Sequence, residues 1–169
     1  EVINTQFELA RDEWAIRLWN WQLHDGGNGA GGAQALDPTG YLENNSYLLD
    51  VSYNAPDIHK NWDVEGKFGY YYLDEQGYMN LYPDGTNLGA GVLPNGLKGN
   101  PGGVTRDVSY ELVGHYKALQ SHHLRFSAGV IHSEMETKET KNFGSGVTLG
   151  TLTDVTNTAN IFMPNSERD

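Results

Sequence analysis

The sequence contains no cysteine and few basic residues, and both absences limit what the protein can be. Without cysteine among its 169 residues, the chain has no disulfide and no thiolate metal ligand. Only 11 Lys and Arg stand against 22 Asp and Glu, which gives a net charge of −11. Because binding to phosphates needs a surplus of Lys and Arg on one face, we expect no nucleic-acid partner. Electrostatic attraction to anionic lipid is disfavoured for the same reason.

Long apolar runs are also missing. No stretch reaches the roughly 18 apolar residues of a transmembrane helix. The chain has 21 Gly and 10 Tyr but only 38% hydrophobic residues, a composition that fits exposed sheets with long loops better than a helical core. A membrane is still possible, because a strand of a transmembrane barrel needs only about 9–11 residues with one apolar face.

Alternation of apolar and polar residues is the main structural pattern of the sequence. In its clearest run, Trp62, Phe68 and Tyr72 fall on one side and Asp63 and Lys67 on the other. A period of two predicts a β-strand with one apolar face. Five such runs are clear and a sixth is weaker. The predicted strands are 2–9, 13–24, 45–54, 61–74, 106–119 and 124–138.

The predicted strand 13–24 has one irregularity. Its apolar residues switch sides after Leu18 and continue at Trp19 and Trp21. A β-bulge or the end of the apolar band would cause such a switch.

The connections between the predicted strands alternate between short and long. The short ones are 10–12, 55–60 and 120–123, and the long ones are 25–44, 75–105 and everything after about residue 139. An up-and-down membrane barrel has short periplasmic turns and long extracellular loops. We therefore predict an all-β fold of about six antiparallel up-and-down strands from a large transmembrane β-barrel. Residues 1–169 would all belong to that one barrel domain.

The predicted long connections contain typical loop sequences. Residues 25–32 are rich in glycine, which does not hold regular structure cheaply. Residues 37–40 and 82–85 have turn sequences, and Pro94-Asn95-Gly96 suggests a small hairpin.

The two faces of the predicted strands have different expected environments. Aromatic residues near strand ends, such as Tyr53, suit a girdle at the membrane boundary, although a soluble β-sandwich would bury the same residues in its core. The predicted lipid-facing residues are Trp62, Phe68, Tyr70, Tyr72, Tyr110, Leu112 and Phe126, and the predicted girdle is formed by Tyr53, Trp62, Tyr72 and Tyr110. The opposite face would line the lumen, with ion pairs between neighbouring strands. These lumen-lining residues are Asp63, Glu65, Lys67, Glu111, His115, Lys117 and Arg125.

Patterns that suggest enzyme chemistry have simpler explanations. Residues 27–32 match G-x-G-x-x-G, but no helix follows to bind a phosphate. Adjacent His122 and His123 point to opposite faces of a strand, so we expect an exposed turn and no metal site. Asp63 and Glu65 are better explained by ion pairs than by glycosidase chemistry. We therefore predict a protein that is not an enzyme and has no cofactor.

Two sequence segments resemble TonB-dependent outer-membrane receptors. One is Leu18-Trp19-Asn20-Trp21-Gln22, followed by a glycine-rich loop that runs into Gln34-Ala35-Leu36-Asp37-Pro38-Thr39-Gly40. The other is Tyr110-Glu111-Leu112-Val113-Gly114-His115-Tyr116, which leads into a tight turn and a long returning strand. The alternation of strands with short and long connections extends the resemblance over most of the chain, although no plug domain or TonB box is recognisable.

The resemblance implies a location and a set of partners. Such receptors lie in the bacterial outer membrane and have a 22-stranded barrel with a separate plug. They import a scarce nutrient, such as an iron–siderophore complex, with energy relayed by the TonB system. The implied partners are therefore outer-membrane lipid, the plug, the rest of the barrel and, indirectly, TonB. Family ligands are contacted mainly from apical loops, and the candidates here are Tyr41, Tyr78, Tyr82 and Asp84. The alternative is a soluble β-sandwich module that binds a ligand or a carbohydrate.

Overall fold

The computed structural model describes residues 1–30, 36–87, 89, 91–119 and 121–168, without the side chains of residues 28 and 30. Within these ranges all regular structure is β-strand. No helix in the described ranges has the length and apolar character to cross a membrane. The strands are β1 (Val2–Arg11), β2 (Trp14–Ala30), β3 (Leu36–His59), β4 (Trp62–Tyr82), β5 (Thr86–Asn87), β6 (Val92–Leu93), β7 (Leu97–Leu119), β8 (His122–Lys141), β9 (Thr153–Asp154) and β10 (Ser166–Arg168).

The six long strands form one antiparallel meander in the order β1-β2-β3-β4-β7-β8. The short strands β9 and β10 add to β8, and β5 pairs only with β6. This arrangement confirms the predicted all-β class with antiparallel up-and-down strands. The sheet is open, since its order runs from β1 to β10 with no pairing between those two strands in the described residues.

The alternation of short and longer connections is present at the two edges of the sheet. Tight turns join β1 to β2, β3 to β4 and β7 to β8 at one edge. At the opposite edge, residues 83–96 join β4 to β7, and residues 142–165 follow β8 before β10. We call these the tight-turn edge and the open edge.

The strands are longer than the sequence predicted, so the predicted loops 25–44 and 75–105 are wrong for most of their described residues, while 31–35, 88 and 90 lie outside the described residues. β2 continues to Ala30, β3 begins at Leu36, β4 continues to Tyr82 and β7 begins at Leu97. Residues 37–40, predicted as a turn, lie inside β3. The physical reason is that these ends pair through backbone hydrogen bonds and have no apolar face to produce a period of two.

The predicted hairpin near Pro94-Asn95-Gly96 is shifted. The hairpin is β5–β6, and Pro94-Asn95-Gly96 is the turn that leads from it into β7. Gly96 has φ +57°, and a Cβ there would lie 2.3 Å from the carbonyl oxygen of Tyr82. This position therefore requires glycine for both its backbone conformation and its space.

From β1 toward β8, the strand ends at the tight-turn edge lie progressively further out along the strand direction. The β1–β2 turn ends level with β3, where Asn54 N donates to Glu13 O at 2.8 Å. The β3–β4 turn ends level with β7, where Lys117 N donates to Asn61 O at 2.9 Å, and the Leu119–His122 pair of β7 and β8 lies beyond that point. Such a stagger arises when strands are tilted relative to the line that joins their ends. Closed barrels have strands tilted in this way.

The described part of the chain is a single layer, and its buried apolar core is small. Its buried hydrophobic residues are Ala55, Val104, Val113 and Val155. No second sheet in the described residues covers either face of the meander, since the other sheet is the two-stranded β5–β6 hairpin. The large apolar side chains of the meander therefore remain exposed.

Candidate functional site

One face of the meander carries a continuous band of large apolar side chains. Residues paired directly across antiparallel strands share a face, so the register assigns each side chain. Phe68 pairs with Val51 and Tyr110, and Tyr110 pairs in turn with Val130. We call this the apolar face. It includes all seven residues predicted to face lipid, namely Trp62, Phe68, Tyr70, Tyr72, Tyr110, Leu112 and Phe126.

The apolar face is strongly exposed. Leu112 is 59% exposed, Phe126 56% and Trp14 54%. A water-soluble monomer rarely exposes a contiguous apolar patch larger than a few hundred Å². The apolar face therefore needs lipid or a protein partner to cover it. The position of these residues against lipid remains a prediction.

Aromatic pairs mark both ends of the apolar face. Near the tight-turn edge, the ring centroids of Trp14 and Tyr53 are 4.7 Å apart and those of Trp62 and Tyr116 are 5.0 Å apart. Toward the open edge, Tyr47 and Tyr72 are 6.1 Å apart. The predicted girdle residue Tyr110 instead pairs with Phe68 between these two ends, with centroids 5.1 Å apart.

The apolar face becomes polar beyond the Tyr47–Tyr72 pair. Arg106 is the direct partner of Tyr72, and its Nη1 lies 3.7 Å from Glu134 Oε2 and 3.4 Å from Glu136 Oε1. Charged groups thus replace aromatic ones within one step along these strands. The apolar band consequently ends at Arg106 on β7 and Glu134 on β8, whereas Tyr41 and Tyr78 continue on this side of β3 and β4.

The opposite face, which we call the charged face, carries ion pairs across the strands. Lys117 Nζ lies 2.7 Å from Asp63 Oδ1, and His115 Nε2 lies 3.7 Å from Glu65 Oε1. Glu111 lies between Lys67 at 3.8 Å and Arg125 at 3.9 Å. The expected ion pairs are therefore present for Asp63, Lys67, Glu111, Lys117 and Arg125, and His115 lies beside Glu65. Whether this face lines a lumen remains a prediction.

The charged face becomes aromatic toward the open edge. Trp19 pairs with Leu48, and Leu48 pairs with Tyr71. We call these three residues the aromatic strip. The register of β2 runs without a shift from Trp14 to Leu23, so the apolar switch in the sequence reflects the end of the apolar band and not a bulge. Trp19 Nε1 also donates to Asn4 Oδ1 at 2.8 Å, which fixes the indole.

A polar hollow of about 920 Å³ lies on the charged face next to the aromatic strip. Its floor consists of small residues on neighbouring strands, because Gly69 pairs with Ser109 and Glu111 pairs with Gly129. On this face the hollow is lined by the side chains of Asp50, Lys67, Ser109, Glu111, Ser127, Ile131, Ser133 and Arg168. Sequence reasoning identified only Lys67 and Glu111, since opposed small residues become visible only when the register is known.

The four predicted ligand-binding residues do not form one loop cluster. Tyr41 and Tyr78 are paired residues within β3 and β4, with rings stacked at 4.3 Å. By register they lie on the same side of the sheet as Tyr47 and Tyr72. Tyr82 is the last residue of β4, and Asp84 is in the following turn, 3.4 Å from Lys98 Nζ. The expectation that all four lie in loops is therefore wrong for Tyr41, Tyr78 and Tyr82, which are strand residues. The role of the four residues in ligand binding stays a prediction.

The described ranges contain no group of three or more His, Asp or Glu that could hold a metal ion. His122 is the first residue of β8, and both it and His123 are exposed at the tight-turn edge. No known family model matches this chain, and no curated protein or solved structure matches it either.

Proposed function

We propose that this chain is a segment of a TonB-dependent receptor of the bacterial outer membrane that imports a scarce nutrient, such as an iron–siderophore complex. The observation that carries the proposal is the apolar face, an exposed band bounded by aromatic pairs on a single-layer up-and-down sheet. In this proposal the apolar face meets lipid and the charged face meets the lumen and the plug. The proposed partners are outer-membrane lipid, the plug and remaining barrel and, indirectly, the TonB system.

The length of the apolar face fits the proposal. Trp62 and Tyr72 lie at its two ends on β4. Ten residue steps at about 3.3 Å each span about 33 Å along a strand. Strands tilted by about 40° would project that length to about 25 Å, which is the height of the apolar band of outer-membrane barrels.

The distribution of charge across the sheet also supports the proposal. A charged side chain on the lipid face costs about 2–4 kcal/mol at the bilayer midplane. The middle of the apolar face, from Val108 to Leu112 and from Gly66 to Tyr70, carries no charge among its outward residues. Charged residues Lys67 and Glu111 in the same stretches point to the other side.

A soluble β-sandwich is the alternative, and the single layer disfavours it. A sandwich buries the inner faces of two packed sheets in a core about 10 Å thick. Phe126 and Leu112 would have to lie in that core, yet each is more than half exposed.

Partition of the purified chain between water and detergent micelles tests the proposal. Far-ultraviolet circular dichroism would be recorded in both phases. We expect strand content in micelles and aggregation in water, because the outermost strands of the sheet have unpaired backbone groups and the apolar face has no cover. A cooperative, detergent-independent monomer would overturn the proposal and favour the soluble binding module.

A further inference from the structure

The polar hollow on the charged face has balanced charge. Its charged side chains are two carboxylates, Asp50 and Glu111, and two cations, Lys67 and Arg168. Arg17 lies 3.4 Å from Asp50, and Lys67 lies 3.8 Å from Glu111, so both carboxylates already have cationic neighbours. A hollow of this kind has no surplus of positive charge to attract an anion.

The surroundings of the hollow add charges of both signs, since Arg17 lies beside Asp50 and Arg125 lies beside Glu111. Asp107 is two residues from Ser109 on β7 and lies on the same face. It accepts a hydrogen bond from Ser133 Oγ. The chain as a whole has a net charge of −11. A ligand with several negative charges would therefore gain no net attraction here.

The hydrogen-bonding groups of the hollow suit hydroxyl ligands. Ser109, Ser127 and Ser133 contribute hydroxyl groups, which both donate and accept. Asp50 and Glu111 add acceptors, and Lys67 and Arg168 add donors. The ion pairs of Asp50 and Glu111 are long, at 3.4–3.9 Å, which leaves oxygen lone pairs for further donors.

The aromatic strip supplies an apolar surface beside these groups. Leu48 lies two residues from Asp50 on β3, and Tyr71 lies two residues from Gly69 on β4. Two residue steps along a strand are about 7 Å, so the strip borders the hollow directly. Aromatic rings beside convergent polar groups are the usual composition of small-molecule sites.

We infer that the hollow and the aromatic strip together bind a neutral polyhydroxylated ligand, of which an oligosaccharide is the simplest class. This inference rests on the proposed function, since it names the class of nutrient that the proposed receptor takes. The C–H faces of sugar rings pack on Tyr71 and Trp19, and the hydroxyls exchange hydrogen bonds with the serines and carboxylates. An anionic metal chelate is disfavoured by the balanced charges.

Binding by the full-length protein that carries this chain tests the inference. The protein would be purified in lauryldimethylamine oxide, whose headgroup contains no sugar, and applied to an array of neutral and of sulfated oligosaccharides. A ferric tris-catecholate complex would be titrated in parallel. We expect retention of neutral oligosaccharides and weaker or no binding of the anionic probes. Binding of the anionic probes alone, or of none, would overturn the inference.

Two matched pairs of variants locate the site. Tyr71→Ala removes the aromatic strip at the hollow, whereas Tyr70→Ala changes the neighbouring residue on the opposite face. We expect Tyr71→Ala to weaken binding about tenfold or more and Tyr70→Ala to change it less than about twofold. Ser109→Trp should fill the hollow and abolish binding, and Ser121→Trp in the tight turn should not. Equal losses within either pair would overturn the assignment.

Fractionation of cells that express the same protein separates the two proposals. Outer-membrane localisation without binding of neutral oligosaccharides would overturn the inference and leave the receptor proposal standing. A water-soluble protein that binds them through Tyr71 would uphold the site and overturn the receptor proposal. Gel migration that depends on heating, a property of folded barrels, would verify that each variant is folded.

Discussion

Asp37 on β3 accepts hydrogen bonds from both the backbone N and the side-chain Nδ2 of Asn80 on β4, each at 2.7 Å. The carboxylate also accepts a hydrogen bond from Gly40 N at 2.8 Å, and Asp37 is only 1% exposed. Burial alone would raise the pKa of this carboxyl group, but the hydrogen bonds from Asn80, Gly40 and Thr39 outweigh it and hold the pKa below its usual value. The open ends of β3 and β4 are therefore joined by an ionised, buried carboxylate.

We expect the open ends of β3 and β4 to loosen in acid. A depressed folded pKa stabilises the native state above the unfolded value of about 4, and that stability is lost as pH falls through the folded pKa. Asp37→Asn should cost about 1–3 kcal/mol at neutral pH, because an amide turns one acceptor into a donor that faces the donors of Asn80. Hydrogen exchange of residues 36–42 and 77–82 measures both effects.

Asp84→Asn provides the control for Asp37→Asn, because Asp84 is an exposed turn residue paired with Lys98 at 3.4 Å. It should change hydrogen exchange of the strand ends little. Unaltered protection in Asp37→Asn, or protection in the native chain that persists to strongly acidic pH, would contradict the prediction.

A cation placed on the apolar face distinguishes a lipid-facing surface from one exposed to water. Leu112 is 59% exposed near the middle of this face. In a bilayer, Leu112→Arg should cost about 2–4 kcal/mol, whereas on a water-exposed surface it would cost little or nothing. The measurement is urea unfolding of the protein in lipid vesicles, followed by gel migration.

Ser127→Arg is the matched control, because Ser127 is exposed on β8 and lies on the charged face opposite Val113. This substitution should cost less than about 1 kcal/mol. If Leu112→Arg and Ser127→Arg are equally tolerated in vesicles, the apolar face does not contact lipid.

The inner parts of the strands could be predicted from sequence, because one face there must be apolar. Val51, Phe68 and Tyr110 lie in one row across three strands, and each alternates with polar neighbours along its own strand. The period of two is a direct consequence of that environment. The tight turns were predictable for the same reason, since they lie where the alternation stops and restarts.

The outer strand ends could not be predicted, because close backbone packing leaves no periodic pattern. Gly102 of β7 is an example, since a Cβ there would lie 2.4 Å from Gln76 Oε1. Gln76 in turn donates to the carbonyl oxygens of Asn100 and Pro101 at 3.1 and 3.2 Å. Glycine is typical of loops in sequence, yet here Gly102 permits two strands to approach. The polar hollow was hidden for a related reason, because Gly69 and Ser109 are far apart in sequence and meet only through the register.

The ion pairs on the charged face should contribute little to stability. Arg17 lies 3.3 Å from Glu8 and 3.4 Å from Asp50, but all three side chains are at least a third exposed. Exposed pairs of this kind are each worth less than about 1 kcal/mol. We expect Arg17→Gln to lower the free energy of unfolding by less than about 1 kcal/mol.

Salt should reduce the effect of Arg17→Gln further, because the screening length falls from about 30 Å at 0.01 M to about 3 Å at 1 M ionic strength. Urea unfolding in micelles at both salt concentrations, with Asp50→Asn and the double variant, isolates the Arg17–Asp50 contribution. A coupling free energy above about 2 kcal/mol that does not respond to salt would show that the Arg17–Asp50 ion pair contributes substantially to stability, contrary to the prediction.

A buried ion pair holds the segment 142–165 against β8. Lys141 Nζ lies 2.6 Å from Glu139 Oε1, and both side chains are 1% exposed. This contact is an ion pair and not a directed hydrogen bond, whereas Glu139 Oε2 accepts a regular hydrogen bond from Phe162 N at 2.8 Å. The ammonium also donates to Asn160 O and lies over the ring of Phe162.

Removing the carboxylate from this pair should release the segment. Glu139→Gln leaves the Lys141 ammonium buried without its counter-charge, which we expect to cost about 3–5 kcal/mol. The loss should be largest in the segment itself, because β8 keeps its pairing with β7. Limited proteolysis, read by the rate of cleavage within residues 142–165, measures the effect.

Two further variants distinguish a lost ion pair from a lost side chain. Glu136→Gln changes an exposed carboxylate on the same strand, paired with Arg106 at 3.4 Å, and should leave the cleavage rate nearly unchanged. Adding Lys141→Met to Glu139→Gln removes the uncompensated charge and should restore much of the protection. If the double variant is cleaved as fast as Glu139→Gln alone, the uncompensated charge of Lys141 is not the cause of the loss. The segment is then held by the direct contacts of Glu139 and Lys141 with Phe162 and Asn160.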